Sequence, residues 1–206
     1  MFLQVEILLA RNDRNLVLLM DFILEHFQKT GALLKGHFIL SSGLHSSTYL
    51  QCALALQMPS DAKTFAKMIV EKVGFGEIET VASPAIGGLI IGYAVAEALN
   101  ARFIWTEREN GKMALRRGFS VKRDERILIV EDVITTGGST KECMQVLQEK
   151  GALVKAAACI IDRSGGKVDI GVPQISLVSI EVPAYKPEEC PLCKQNIPAV
   201  KPGSRK

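Results

Sequence analysis

The sequence predicts an α/β fold with a mostly parallel central sheet flanked by helices. Short apolar runs, rich in β-branched residues, recur at 80–83, 102–106, 127–130, 153–161 and 175–182. Runs of this length that stay apolar throughout are typical of strands buried on both faces of a parallel sheet. Segments with helical spacing separate several of them, and this alternation indicates β–α–β units.

Four helices are predicted between and before these strands. Apolar residues recur at helical spacing from Leu16, and Gly31 follows where that helix should end. Ser60 and Asp61 can cap the next helix, which would run to about Val73. The remaining two are an apolar helix ending near residue 100 and a helix over 139–150.

Length and composition fit a single domain over 1–206. Hydrophobic residues make up 48% of the 206 residues, an ordinary share for a globular chain. We divide the domain into a candidate extension, an N-terminal helix with a small hood, a core and a tail, at 1–19, 20–58, 59–182 and 183–206.

The net charge is only +3, which argues against nucleic acid as a partner. The basic excess is concentrated in 102–126, where eight Lys or Arg face four acids. A local excess of this kind also suits capture of a polyphosphate.

The cysteines indicate a reducing compartment. Five cysteines form no disulfide framework, and the apolar N-terminus is interrupted by charge well short of a membrane span, so we expect a cytoplasmic protein without a membrane partner. Cys143 and Cys159 look like core residues. Cys190 and Cys193 form a Cys-x-x-Cys pair, which is half of a four-ligand zinc site and would need ligands from a partner chain, so no metal-binding residues are predicted.

The stretch 126–141 carries the strongest functional pattern. Glu131 and Asp132 follow the apolar run 127–130, so their side chains should emerge at the carboxyl edge of the sheet, where open α/β folds bind ligands. The small residues 135–139 then lead into a helix, and such a turn binds anions through free N–H groups and the helix dipole. Carboxylates accept hydrogen bonds from sugar hydroxyls, so the pattern favours a ribose 5-phosphate over a plain strand-to-helix corner.

The stretch VEDVITTGGST resembles the phosphoribosyl pyrophosphate (PRPP) signature of type I phosphoribosyltransferases. The resemblance implies that fold, with a hood at its N-terminus. It also implies that the PRPP-binding residues are Glu131, Asp132, Val133, Ile134, Thr135, Thr136, Gly137, Gly138 and Ser139.

A second tight turn follows the strand 80–83, at Ala85, Ile86, Gly87 and Gly88. By resemblance it is the pyrophosphate loop of the family, in which a cis peptide bond at Ala85–Ile86 is expected. Many relatives have Lys where Gly87 stands, so one cation of the family is missing here.

The charged segment 107–117 has two interpretations. Charge runs usually face water, and a solvated hairpin would explain it. The segment also resembles the mobile catalytic loop of orotate phosphoribosyltransferases, which closes over the active site of the neighbouring subunit. That resemblance implies that Arg108 and Lys112 hold the departing pyrophosphate, with Arg116 and Arg117 as weaker candidates, although the usual Lys-x-His pairing is absent.

The base-binding residues are implied by the same family. The segment 36–51 is similar to its hood, and Tyr49 lies in it. Ser41 stands where many bacterial members have Lys, so a cation is missing here or is supplied by another residue such as His45. Arg163 matches an arginine that contacts the orotate carboxylate, and Thr135 would lie near orotate.

Taken together, the resemblance implies an orotate phosphoribosyltransferase. Such an enzyme converts orotate and PRPP to orotidine 5′-monophosphate and pyrophosphate in pyrimidine biosynthesis, with Mg²⁺ held mainly by PRPP, and a homodimer is expected. Glu131, Asp132, Lys112 and Arg108 are the candidate catalytic residues. The alternatives are a phosphoribosyltransferase for another base, such as a purine, and a PRPP-sensing regulator that binds nucleic acid.

Overall fold

The computed structural model describes residues 18–40, 43–74 and 76–202. The candidate extension before residue 18, Ser41 and the last residues of the tail lie outside these ranges. Within them, no helix combines the length and the apolar character needed to cross a bilayer.

The first helix of the described part, α1, covers residues 18–29. The other elements follow in chain order as β1 (Leu33–Ile39), β2 (His45–Leu50), α2 (Cys52–Ala55), α3 (Pro59–Val73), β3 (Thr80–Pro84), α4 (Leu89–Leu99), β4 (Arg102–Glu109), β5 (Lys112–Leu115), β6 (Arg126–Ile134), α5 (Gly138–Glu149), β7 (Leu153–Asp162), β8 (Gln174–Ser179), β9 (Ala184–Tyr185) and α6 (Pro191–Lys194).

The central sheet has six strands in the order β5-β4-β3-β6-β7-β8. All neighbours are parallel except β5, which pairs antiparallel with β4. The predicted α/β class and the five predicted strands are therefore confirmed. Because β3, β6 and β7 are parallel neighbours, their carboxyl ends meet at one edge of the sheet.

Strand β6 is longer than predicted, since it continues past the acids. Glu131 still pairs with Cys159 and Ile134 with Asp162 of β7. The acids therefore lie inside the strand rather than after it, and the tight turn starts at Thr135.

Helices cover both faces of the central sheet. One core cluster joins residues of α1, α3 and α4 to the sheet, and the other lies under α5 and includes the buried Cys143 and Cys159. Helix α4 packs very closely on β3, because a Cβ on Gly92 would collide with Oγ of Ser83. That hydroxyl donates to the Val130 carbonyl at 2.7 Å and so ties β3 to β6.

The hood is a separate antiparallel sheet with the order β1-β2-β9. The tail pairs with both strands of the β1–β2 hairpin. Strand β9 of the tail pairs with β2, and Val200, later in the tail, pairs with β1 at Phe38. The charged segment 107–117 forms a β-hairpin, as the solvated-hairpin interpretation predicted, with Asn110 and Gly111 at its tip.

Candidate functional site

Two adjacent carboxylates stand at the carboxyl end of β6. Glu131 is buried, with 8% of its surface exposed, whereas Asp132 is half-buried. Oδ1 of Asp132 accepts a hydrogen bond from the backbone N–H of Val133 at 2.8 Å. Most of the lone pairs on this pair therefore remain available to a ligand that carries hydroxyl groups.

The burial of these acids changes their titration. Burial raises the pKa of Glu131 well above its usual range, and the neighbouring charge of Asp132 raises it further. Burial also raises the pKa of Asp132, although the N–H of Val133 opposes that shift. Displaced pKa values of this kind are common at functional sites, because a ligand supplies the polar partners that the protein lacks.

The turn after β6 is shaped by Gly137. Its φ of 71° lies in the left-handed region, and a Cβ there would stand 2.5 Å from Ile170 Cδ1, so glycine is required at this position. Among the described residues, no side chain caps the first turn of α5. The N–H groups of that turn are thus free for an anion, and Thr135, Thr136 and Ser139 are exposed beside them.

A second turn, formed by residues 85–88, lies against the same acids. The Ala85–Ile86 peptide bond is cis, as expected from the resemblance. A Cβ on Gly87 would stand 2.8 Å from Oδ1 of Asp132, and one on Gly88 would stand 3.1 Å from Oε2 of Glu131. The backbone of this turn therefore approaches the carboxylates closely, and the structure brings both predicted loops to one place.

Arg163 connects the core to the hood. Nη2 donates to Oγ of Ser46 at 3.4 Å and to the carbonyl of Thr48 at 3.3 Å, although the side chain is buried. Within the part of the chain that the structure describes, its Nε has no hydrogen-bond partner. A buried donor without a partner is costly, so this nitrogen is a candidate donor to an anionic or carbonyl acceptor.

Asp162, the residue before Arg163, has a structural role. Its carboxylate accepts hydrogen bonds from Ser164, Gly166 and Ser179, which fixes the turn that follows β7. Tyr49 of the hood is half-buried, and burial raises its pKa, with a further contribution from the charge of Asp132. Tyr49, Asp132 and Arg163 therefore share one electrostatic environment.

The hairpin residues are placed differently. Arg108 pairs with Glu142 of α5 at 2.6 Å and donates to the Gly111 carbonyl at 2.7 Å. Arg116 and Arg117 both pair with Glu107, while Lys112 is exposed. The structure therefore holds the hairpin on α5, next to the site, with the Arg108 guanidinium engaged by an acid.

Two further features were missed from the sequence. Cys52 is buried near Asp132, and burial, followed by the charge of Asp132, raises the pKa of its thiol well above the usual range. His37 and His45 meet the Cys-x-x-Cys pair. The histidines precede the cysteines by about 150 positions, a spacing typical of no common zinc motif, so no local signal could have revealed the contact.

Comparisons with known proteins agree with this geometry. The family model for the phosphoribosyl transferase domain matches residues 55–186. The orotate phosphoribosyltransferase of Thermotoga maritima is 55% identical over 183 residues, which cover 89% of this chain and 98% of that protein. The one from Pelotomaculum thermopropionicum is 52% identical over 186 residues, with 90% and 98% covered.

A solved structure extends the comparison to three dimensions. The crystal structure of orotate phosphoribosyltransferase from Aeropyrum pernix superposes with a TM-score of 0.62 at 27% identity, covering 74% of this chain and 90% of that one. Since this chain is 55% and 52% identical to two of these relatives over at least 89% of its own length, it belongs to the phosphoribosyl transferase family, among its orotate phosphoribosyltransferases.

Proposed function

We propose that this protein transfers the 5-phosphoribosyl group of PRPP to orotate, giving orotidine 5′-monophosphate and pyrophosphate, in pyrimidine biosynthesis. The observation that carries the assignment of the site is the contact of Gly87 and Gly88 with the acids of β6. It brings two anion-binding turns and two hydroxyl-binding carboxylates within reach of one small ligand.

The ribose 5-phosphate end of PRPP would lie along β6. Glu131 and Asp132 would accept hydrogen bonds from the ribose hydroxyls. The N–H and hydroxyl groups of 135–139, flanked by Val133 and Ile134, would bind the 5′-phosphate at the start of α5. A ribose held at both ends can lose its C1 substituent with little further loss of freedom.

The pyrophosphate would leave over the second turn. Breaking the C1–oxygen bond gives the ribose cationic character and the pyrophosphate negative charge, so N–H donors of Ile86, Gly87 and Gly88 would stabilise the leaving group. The N–H of Ala85 donates instead to the Thr106 carbonyl at 2.7 Å, which anchors the start of this turn on β4. Orotate then bonds to C1 through a ring nitrogen, whose proton is released to solvent, and no protein nucleophile is required. Arg108 and Lys112 would add cationic donors if the hairpin moves from α5 toward the site. In that movement Arg108 would leave its ion pair with Glu142 and bind the phosphate oxygens instead.

Arg163 is assigned to the orotate carboxylate. Its buried Nε needs an acceptor, and a guanidinium can present Nε and one Nη in parallel to a planar carboxylate. The contacts of Nη2 with Ser46 and Thr48 orient this fork from the hood side. Tyr49 and Thr135 would border the base.

Magnesium is assigned to the substrate rather than to a protein cage. Mg²⁺ takes oxygen ligands and retains waters, and the pair Glu131 and Asp132 offers oxygen atoms of this kind at the edge where PRPP would lie. The donor set therefore fits the ion, with Asp132 the more accessible of the two. When bound, Mg²⁺ would neutralise charge on the pyrophosphate group.

A homodimer is part of the proposal, with the hairpin of one subunit reaching the site of the other. Ile86, Ile90 and Tyr93 are spaced along one side of the start of α4 and expose 81%, 46% and 64% of their surfaces. An apolar surface next to the pyrophosphate turn supports an interface there. The five free cysteines support a cytoplasmic location.

The decisive experiment follows the absorbance of orotate after addition of PRPP and Mg²⁺. Loss of absorbance with orotate, and no product with adenine or hypoxanthine, is the expected result. Turnover of a purine in place of orotate would overturn the substrate assignment, and PRPP binding without turnover of any base would overturn the enzymatic one.

A further inference from the structure

A compact group of two histidines and two cysteines joins the hood to the tail, and it contains none of the residues assigned to PRPP or orotate. The four candidate ligand atoms of His37, His45, Cys190 and Cys193 all lie within 4.8 Å of one another. His37, His45 and Cys190 are buried, and Cys193 is partly buried. We propose that these four side chains bind one zinc ion in a structural site that fastens the tail to the hood.

The distances within the group fit a tetrahedral centre. Nε2 of His37 lies 3.4 Å from Sγ of Cys190 and 3.7 Å from Sγ of Cys193, and Nδ1 of His45 lies 3.2 Å from Sγ of Cys193. With usual Zn–S and Zn–N bond lengths, tetrahedral geometry places sulfur and nitrogen ligands about 3.6 Å apart. The two nitrogens lie 2.8 Å apart, so a small outward movement would admit the ion.

The hydrogen bond at Nδ1 of His37 favours a cation at the centre. Nδ1 lies 2.7 Å from the Ile197 carbonyl, which can only accept, so Nδ1 donates and Nε2 is the nitrogen that can bind a metal ion. Metal-ligating histidines commonly have such a second partner, because it fixes the ring and its tautomer.

The charge balance also suits a buried zinc ion. Binding would release the two thiol protons to solvent and leave two thiolates and two neutral imidazoles around Zn²⁺. The centre then has no net charge, which lowers the cost of burying it. Two sulfur and two nitrogen ligands in this arrangement are typical of zinc.

The backbone converges on the group from both sides. Strand β1 has a bulge between Lys35 and Phe38, and the extra residue brings His37 to the buried side next to Phe38. His45 pairs with Tyr185 of β9, and Val200 pairs with β1 after the cysteines. The tail is therefore already held on both hood edges, and the zinc would join it to the sheet between them.

The first test measures the metal content of the full-length protein after incubation with excess Zn²⁺ and removal of the free ion. One zinc per chain by native mass spectrometry is expected. Replacement by Co²⁺ should give visible absorption of a tetrahedral thiolate-ligated ion. A protein without bound metal, or one in which Cys190 and Cys193 form a disulfide, would overturn the proposal.

Variants assign the ligands. Cys193→Ser and His45→Ala should each bind at least tenfold less zinc than the wild type. The matched controls are Cys143→Ala and His26→Gln, which alter a cysteine and a histidine outside the group and should keep one zinc per chain. Unchanged zinc in both ligand variants would contradict the assignment. The readout is independent of orotate turnover, so it does not depend on the proposed activity.

Discussion

The backbone of Gly87 lies directly over the carboxylate of Asp132, so closely that a single added carbon on the glycine would stand 2.8 Å from Oδ1 and 2.9 Å from Oδ2. A separation below 3.0 Å is shorter than non-bonded carbon atoms tolerate. The residue that would bind pyrophosphate and the residue that would bind ribose are therefore in contact before any ligand arrives. Position 87 cannot take a side chain unless Asp132 moves.

The first prediction follows from that contact. Gly87→Ala should displace Asp132 and lower kcat/KM for PRPP by roughly 10- to 100-fold, a loss of about 1.4–2.8 kcal/mol of transition-state stabilisation. Steady-state kinetics with varied PRPP measures it. Gly76→Ala is the control, because a Cβ there meets nothing within 4 Å. Equal losses in both variants would mean that the effect is not local.

The second prediction concerns the carboxylate itself. Asp132→Asn removes a negative acceptor for the ribose hydroxyls and should lower kcat by at least ~100-fold without unfolding the protein. Asp124→Asn changes an aspartate that is 83% exposed and should leave kcat unaltered. Near-normal turnover of the Asp132 variant would remove the acid pair from the mechanism.

The third prediction concerns two buried glutamates, Glu131 and Glu125, whose pKa values are shifted in opposite directions. Burial raises the pKa of Glu131, so the folded state binds more protons than the unfolded state between the ordinary value and the raised one. The stability that this proton uptake provides is present at low pH and is lost as pH rises through the raised pKa. Glu131→Gln should therefore stabilise the ligand-free protein above that pH by about 1 kcal/mol, or about 2–4 °C in Tm.

Glu125 provides the contrast. Burial would raise its pKa, but hydrogen bonds from Thr80, the Lys122 N–H and Arg102 outweigh burial and lower it. The ionised Glu125 carboxylate therefore stabilises the folded protein at pH values above the ordinary pKa of glutamate. This stabilisation is lost as the pH falls through the lowered pKa of Glu125. Glu125→Gln should therefore destabilise the protein at neutral pH by about 2 kcal/mol. Thermal unfolding over a series of pH values measures both variants, and shifts of the same sign at every pH would contradict the opposite directions of the two pKa shifts.

The fourth prediction tests the base contact. Arg163→Lys keeps the charge but removes the planar fork, so KM for orotate should rise by at least ~10-fold while KM for PRPP changes little. Arg123→Lys, at a side chain that is 92% exposed, is the control and should change neither constant. A larger effect on PRPP than on orotate would place Arg163 elsewhere in the mechanism.

The fifth prediction concerns the hairpin. Lys112→Ala and Arg108→Ala should each lower kcat by ~10-fold or more if these cations meet the pyrophosphate in the closed state. Lys67→Ala alters an exposed lysine of α3 and is the control. Wild-type kcat in both hairpin variants would leave the segment with only the structural role that its pairing with Glu142 gives it.

The sheet and the PRPP turn could be predicted because their signals are local. A buried parallel strand needs a continuous apolar run, and 127–130 has one; a turn into a helix needs small residues, and 135–139 are small. The end of β6 was misjudged because pairing of Glu131 and Ile134 with β7 overrides their local pattern. The hydrophobic pattern of a sequence indicates which residues are buried, whereas the length of a strand depends on how far it pairs with the neighbouring strand.

The remaining features depend on contacts between distant positions. The approach of Gly87 to Asp132 joins two turns from neighbouring strands, and the meeting of His37 with Cys190 spans 153 positions. The bulge in β1 also shifts His37 against the alternation of its strand. Periodicity contains no information on such distances, so the sequence showed the two cysteines of the proposed zinc site but not the two histidines.

The pairing of the tail with both edges of the hood has a consequence for synthesis of the protein. Strands β1 and β2 are translated early, but their outer neighbours at Ala184 and Val200 come last. The β1–β2 hairpin therefore has two unpaired edges while the strands of the central sheet are being synthesised. The order of translation thus leaves the region that would cover the base as the last part of the protein to be completed.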